Sequence, residues 1–208
     1  FESASAFDQN LGWRVDDNVN MGGAFAHTQC ASTFCGVSWG GLDIPSNGNL
    51  MANGKIRIAV AAWLSDATSA AATYGHISTW ETAGVTDMED LFKSASSFNE
   101  DISAWDTSGV TTMYMMFYYA SSFNSNIGAW DTTEATSMAG MFRGASSFNQ
   151  PLGDWSFDNI IDMRSMFYGA SAFDQDLGWC VIPDDGQSPP GGILNGAFDG
   201  TLCESTAC

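Results

Sequence analysis

The sequence predicts an α/β solenoid with one short strand and one short helix in each 25-residue turn. Three observations carry that expectation. Trp80, Trp105, Trp130 and Trp155 fall 25 residues apart, and Trp179 follows after 24. Phe98, Phe123, Phe148 and Phe173 keep the same step, as do Phe92, Phe117, Phe142 and Phe167. Met88, Met113, Met138 and Met163 add a further column. A fixed period between about 20 and 50 residues marks a repeat architecture, in which one unit cannot bury its own apolar edge and stacked copies can.

The chain has 208 residues, enough for one ordinary domain or one array, and 45% of them are hydrophobic, enough for a continuous core. Six Lys plus Arg against 24 Asp plus Glu leave a net charge of −18. That argues against nucleic acid or an anionic membrane as a partner, since both need a cationic surface. There is no run of 18 apolar residues, so no membrane span is expected in this window. An acidic skin rich in Ser, Thr, Asn and Gly suits a soluble or extracellular surface.

Taken in order, the chain opens on an echo. Phe1–Trp13 reads FESASAFDQNLGW, and Phe167–Trp179 reads FYGASAFDQDLGW. Likewise GAFAHTQCASTFC at Gly23–Cys35 matches GAFDGTLCESTAC at Gly196–Cys208. Residues 1–35 therefore read as the tail of a preceding module, a half-repeat followed by a cysteine cap. Three origins compete: a window on tandem modules, a reused amino-terminal piece, or an arbitrary boundary. Residues 36–53, with Pro45 among Gly, Ser and Asn, have linker chemistry. Residues 54–74 are expected to be a helical cap, with Ile56, Val60, Trp63 and Leu64 on one face and a second short helical turn over Asp66–Ala72. Residues 75–179 hold the solenoid repeats, and 180–208 a cysteine-containing carboxy-terminal cap.

Within a repeat, Phe98, Ile102 and Trp105 are expected to point inward. A strand around Ile102–Trp105 would stack its copies about 4.8 Å apart in a parallel ladder. Asp106–Val110 (DTSGV) reads as a turn whose side chains bond their own backbone. Thr111–Ala120 places Met113, Met116, Phe117 and Ala120 at helical spacing, one inward stripe of a short helix. Thr86 with Glu89 forms a capping box in the first copy, and Thr111 and Thr136 cap the next two.

The cysteines fall as Cys30 with Cys35 and Cys203 with Cys208, both C-x4-C, leaving Cys180 over. The pairs read as small disulfide-closed loops in an oxidising setting, with free thiols and a metal site as competing readings. Cys180 has three options: pairing with Cys203, staying free, or bonding another subunit.

The stretch WDTSGVTTMYMMFYYASSFNSNI resembles the BspA-like, leucine-rich-repeat-related surface proteins of the DUF285 type. Their 25-residue repeat, M-x-x-M-F-x-x-A-x-x-F-N, is abundant in mycoplasma surface proteins and in marine microalgae. The resemblance runs from about Gly75 to Trp179, with a partial copy at Phe1–Trp13. Ser156, Phe157 and Pro151 depart from it in the last full repeat. The cysteine-bearing tails and the helix at Lys55–Thr73 look more like the algal members. The resemblance implies a right-handed, leucine-rich-repeat-like solenoid on a cell surface, used for adhesion or structure.

Candidate functional residues are weighed against their packing roles. Asn99, Asn124 and Asn149, continued by Asp174, read as a ladder bonding the backbone of adjacent turns, grouped here with the Trp and Phe columns as core. A ligand-binding polar row is the competing reading. The Trp column is read as core, not as a carbohydrate platform. Asp101, Asp106, Asp131, Asp154 and Asp158 lie near turns without a calcium-loop motif, so no cofactor is expected beyond a weak calcium site at module junctions. His76 is expected to pack or cap where the array begins, and His27 stands in a different context. No catalytic motif recurs, so no enzyme is expected. Thr82, Thr107 and Thr132 form a single threonine column, too sparse for an ice-binding array. Tyr114, Tyr118, Tyr119 and Tyr168 break the period and are candidates for an exposed contact face.

The leading expectation is a non-enzymatic extracellular structural module whose partners are adjacent identical modules or other copies of itself, head to tail. Phe1, Phe7, Leu11 and Trp13 would form the assembly interface, because their half-repeat lacks a preceding helix. The alternative is a cell-surface adhesion or ligand-binding solenoid.

Overall fold

The computed structural model describes residues 14–15, 38–39, 49–177 and 196–202. Two short strands, β1 (Arg14–Val15) and β2 (Ser38–Trp39), pair in parallel. Then β3 (Leu50–Ala52) leads into helices α1 (Asn53–Ser65) and α2 (Ala67–Tyr74) before β4 (Glu81–Gly84) returns parallel to β3. Parallel neighbours need such a crossover, and the helix pair supplies it.

In α1 the buried residues Ile56, Ala59, Val60 and Trp63 follow an i, i+3, i+4, i+7 stripe. Leu64, expected on the same face, is instead 44% exposed. Asp66 separates the helices. Its extended backbone ends α1, and its carboxylate accepts from the Thr68 and Ser69 N–H groups at 3.0 and 3.2 Å to cap α2. Gly75, at φ 77°, closes α2. Trp63 then meets Trp80 edge to face at 6.1 Å, joining the helices to the array.

From Trp80 onward, successive 25-residue units lie directly on one another as coils. Trp80, Trp105, Trp130 and Trp155 stack with centroids 5.9, 6.5 and 6.5 Å apart. Phe92, Phe117, Phe142 and Phe167 stack at 5.4, 5.7 and 5.4 Å, and within a coil Phe117 also lies 3.8 Å from Phe123. The Met column at 88, 113, 138 and 163 is buried beside them. Fully burying one such side chain contributes about 1.5–3 kcal/mol, so the stabilisation accumulates coil by coil.

Polar groups inside are matched across the same step. Three tryptophans each donate the indole N–H to a carbonyl 28 residues earlier: Trp105 to Ile77, Trp130 to Ile102, Trp155 to Ile127. Thr82, Thr107 and Thr132 are buried, and each hydroxyl donates at 2.9 Å to a carbonyl of the next coil. A column turned inward offers no surface to ice.

The backbone of each coil departs from the sequence expectation in two places. The parallel pairing does not run through Ile102–Trp105. It consists of single bridges at Asp87, Thr112, Ser137 and Asp162. Thr111–Ala120 is a run of turns, not a helix. Met113, Met115, Phe117 and Tyr119 send their N–H groups to carbonyls of Ser137, Ala139, Met141 and Arg143 in the next coil. Only the alternate groups, such as Met116 and Tyr118, bond three residues back within the turn. Met115 and Tyr119 accordingly take φ of 52° and 56°, which no helix allows. The expected capping box is also absent. Asp87, not Thr86, accepts the Glu89 N–H at 2.9 Å, while Thr111 and Thr136 direct their hydroxyls to the carbonyls of Thr86 and Thr111.

Gly196–Leu202 forms one more layer. Phe198 stacks on Phe167 at 5.5 Å, and Ala197 and Asp199 accept the N–H groups of Phe167 and Gly169. GAFDGT therefore stands in register with GMFRGA (140–145) and SMFYGA (165–170), after a step of 31 residues from Phe167 to Phe198. The reading of 180–208 as a plain cysteine cap missed this. The shared glycines, Gly196 and Gly200 at positive φ like Gly140 and Gly144, were the available signal.

Candidate functional site

The inner columns are occupied by packing, so function is sought on the outer ones. Three adjacent outer columns matter. The first runs Glu89, Tyr114, Ala139, Arg164, and the second Asp90, Met115, Gly140, Ser165, Gly196. The third runs Lys93, Tyr118, Arg143, Tyr168, Asp199. Where its neighbours above and below carry Tyr, Met, Arg and Ser, the third coil carries only Ala139 and Gly140. A groove of about 440 Å³ lies there, lined by Tyr114, Met115, Tyr118, Arg143, Arg164, Tyr168 and the backbone around Gly140 and Gly196, with the Met115 side chain packed over Gly140. Ala139, 5% exposed, also lines the groove.

Cations and rings alternate along the third column. Arg143 lies 4.3 Å from the Tyr168 ring centroid and 6.0 Å from that of Tyr118, while Lys93 lies 5.7 Å from Tyr118 on its other side. A guanidinium over an aromatic face is attracted by the ring quadrupole. Lys93 is also paired with Asp90 at 3.0 Å. Arg164 makes a two-pronged contact with Asp162, Nε to Oδ1 at 2.9 Å and Nη2 to Oδ2 at 2.7 Å. The Arg164 hydrogen bonds hold the Asp162 carboxyl below the usual aspartate range, against the opposing pull of burial. Arg143 differs: its Nε is shielded from solvent and has no hydrogen-bond partner among the described residues. Two of the chain's six Lys and Arg, Arg143 and Arg164, thus line one groove of a chain with 24 Asp and Glu.

Other predicted residues fall elsewhere. Asn99, Asn124 and Asn149 form a ladder, each side-chain oxygen accepting the N–H of residue 124, 149 or 174 at 2.7–3.0 Å. They sit on an exposed to half-buried edge, however, and not in the core with the Trp and Phe columns. Asp101, Asp106 and Asp131 accept from the hydroxyls and N–H groups of Ser103, Ser108 and Thr133. Those bonds, the hydroxyl first, hold their carboxyls below the ordinary aspartate value. Among the described residues no group of three or more His, Cys, Asp or Glu is placed to hold a metal ion. His76 caps the 3₁₀ turn Ile77–Thr79 and packs edge-on to Trp63 at 4.9 Å. Tyr119, half exposed, meets Tyr118 at 4.6 Å and lies over Gly144. Trp179, the five cysteines, and Phe1, Phe7, Leu11 and Trp13 lie outside the described residues. So do His27 and the disulfide and assembly expectations that rest on the cysteines and the amino-terminal half-repeat.

Two residues that sequence reasoning missed finish the amino-terminal edge. Asn53 accepts the Thr86 and Asp87 N–H groups at 2.8 and 3.1 Å and donates to the Thr86 hydroxyl at 2.9 Å. Arg57 donates to the Glu89 carbonyl and, at 2.7 Å, to the Asp87 carboxylate. Together they supply at the first coil the bonds that a preceding coil supplies elsewhere. Their signal was slight: a polar pair at i and i+4 on an otherwise alanine-rich helix.

Among the described residues no helix is long and apolar enough to cross a membrane. No curated protein and no solved structure matches the chain. Residues 62–179, more than half of the chain and the whole run of Trp, Phe and Met columns, match the family described as "Mycoplasma protein of unknown function, DUF285", and the chain belongs to that family.

Proposed function

We propose that this protein is a non-enzymatic binding module of an extracellular or cell surface, and that the tyrosine–arginine groove is its contact face. One observation carries the reading. The outer columns depart from the repeat and gather tyrosine and arginine around one groove, the residue types enriched where proteins make their strongest contacts. The fold that fits the stacked coils is a right-handed solenoid akin to the leucine-rich repeats. The M-x-x-M-F-x-x-A-x-x-F-N motif supports kinship with the BspA-like surface proteins of mycoplasmas and marine microalgae. The acidic, hydroxyl-rich skin and the two C-x4-C pairs support an extracellular setting with disulfide-closed loops. The recurrent polar residues are engaged in inter-coil bonds, which favours binding over catalysis. The test is binding of the full chain to a glycan panel and to cells, with Y118A/Y168A as the comparison. Loss of binding at unchanged melting temperature supports the reading. Equal binding by the variant overturns it.

A second reading, a structural module joined head to tail, is favoured by the terminal layer Gly196–Leu202. That layer keeps the register of the internal coils, so one copy could continue the stack of the next through a heterologous contact that does not close. Light scattering over a micromolar concentration series tests it. A particle of constant monomer mass sinks the idea.

A further inference from the structure

We propose that the groove takes the end of a glycan that carries a single carboxylate, a terminal uronic acid, and that Arg143 anchors that carboxylate. The inference rests on reading the groove as the binding surface and goes on to name what is bound.

The first argument is the unmatched cation. Lys93 and Arg164 each have a carboxylate of their own, in Asp90 and Asp162. Arg143 has none among the described residues, and its Nε is shielded from water without a hydrogen-bond partner. Leaving a buried donor unmade is costly, more so for a charged group. In a chain where acids outnumber bases 24 to six, a guanidinium that lines a groove with no ion-pair partner among the described residues is set up for an outside acceptor through its Nη groups. The planar guanidinium fork matches a carboxylate two-pronged, and at Arg143 the two Nη groups are the ones left to do so, since Nε is shielded. Tyr168 at 4.3 Å holds the Arg143 guanidinium in place, so little rotamer freedom remains to be lost on binding.

The second argument is the shape of the notch. The small Ala139 and Gly140 stand between the larger residues of the flanking coils. The flanking backbones stand two inter-strand steps apart, about 10 Å. With a volume of about 440 Å³, the groove has room for a sugar ring. Tyr114, Tyr118 and Tyr168 offer hydroxyls, and Ser165 and Asp199 add a hydroxyl and a carboxylate acceptor to the lining. A ring bearing several hydroxyls uses such a lining better than an aliphatic or aromatic acid does, since every polar wall group finds a partner.

The third argument limits the charge. A net charge of −18 repels a polyanion over a distance, and Asp199 repels a second carboxylate within the groove. One carboxylate on an otherwise neutral glycan is what the lining tolerates.

The experiment titrates the full chain with methyl glucuronide and with methyl glucoside, the same ring without the acid, by calorimetry or by NMR shifts. Wild type is expected to bind the glucuronide at least about tenfold more tightly, the scale of one charge-assisted pair. R143Q erases that preference. A139Y, which gives the third coil the tyrosine already tolerated at position 114, fills the notch and loses both ligands. R143Q sits in a column that holds Lys, Tyr and Arg, so it carries the test by itself if A139Y does not fold. Equal affinity of wild type for both ligands, or an intact preference in R143Q, overturns the carboxylate assignment. If A139Y still abolishes the weaker binding, the groove survives as a binding surface although its ligand class is wrong. If neither ligand binds and Y118A/Y168A leaves glycan-panel and cell binding unchanged, both readings fall.

Discussion

Phe92 and Lys93 are neighbours in sequence and opposites in the structure. The column that starts at Phe92 repeats Phe117, Phe142 and Phe167 without change, every ring buried and stacked on the last. The column that starts at Lys93 runs Tyr118, Arg143, Tyr168 and Asp199. One residue apart, the first column obeys the period and the second ignores it. An inward position must fit the ring above and the ring below, so its identity propagates. An outward position meets only solvent and its own neighbours, so it is free to differ, and a cluster of differences there is where specificity can be built.

The largest expected effect comes from breaking the obedient column. Phe117→Ala removes a ring in contact with Phe92, Phe123 and Phe142 and should cost about 3–5 kcal/mol in denaturant unfolding. A loss under about 1 kcal/mol would mean the stack is not the main store of stability. Next comes the edge of the array. Asn53→Ala leaves the Thr86 and Asp87 N–H groups without their acceptor and should cost about 1–3 kcal/mol. Hydrogen exchange should speed up in the first coil and stay unchanged in the third, because each coil leans only on its neighbours.

A smaller effect separates ring from backbone. At Gly144 an added Cβ would fall 2.5 Å from the Tyr119 ring, and φ is 70°. Gly144→Ala should destabilise by about 1–2 kcal/mol through the backbone alone. Y119A in the same background should remove the ring conflict and leave that backbone cost, which a double-mutant cycle would read out.

Acid supplies a gentler probe of the outer edge. The Asp101, Asp106 and Asp131 carboxyls are held below the ordinary value by hydroxyl and then backbone hydrogen bonds. Their folded values lie under the unfolded value of about 3.9, so their contribution is present above that pH and is lost as pH falls through the folded values. These groups are exposed and screened, so the slope is shallow. Denaturation midpoints measured downward from about pH 5 should flatten in D131N relative to wild type. The smallest effect on stability should come from the free column. Y118A and Y168A are each expected to stay within about 0.5 kcal/mol of wild type. A large loss of stability in either would mean that the outer column is packing after all.

Much of the interior was legible because burial follows from side-chain type and spacing. Met113, Met116, Phe117 and Ala120 were read as one inward stripe, and all four are buried. The conformation that buries them was not legible. An i, i+3, i+4, i+7 stripe fits a helix as well as it fits this run of turns. What separates the two is the destination of alternate N–H groups 24 residues along the chain, which no local window contains. Glycines at 140, 144, 169, 196 and 200 carried the one local warning, since a helix interior does not recruit them in register. The candidate site was half legible. The four tyrosines were singled out as breaks in the period, but Arg143, Arg164 and the notch at Ala139 and Gly140 were not. A groove lined from several coils shows only when those coils are laid side by side.

By itself, then, the sequence determined the period, the identity of the inward columns and the helical segment ahead of them. Those follow from hydrophobic spacing, which is a property of the chain alone. The tertiary structure decided the hydrogen-bond partners of every second residue in a coil, the use of Asn53 and Arg57 to close the first coil, and the recruitment of Gly196–Leu202 as a further layer. It also decided that Arg143 lines a groove with no ion-pair partner among the described residues. Each of these depends on groups brought together from 24 or more residues apart, and only stacking brings them within reach.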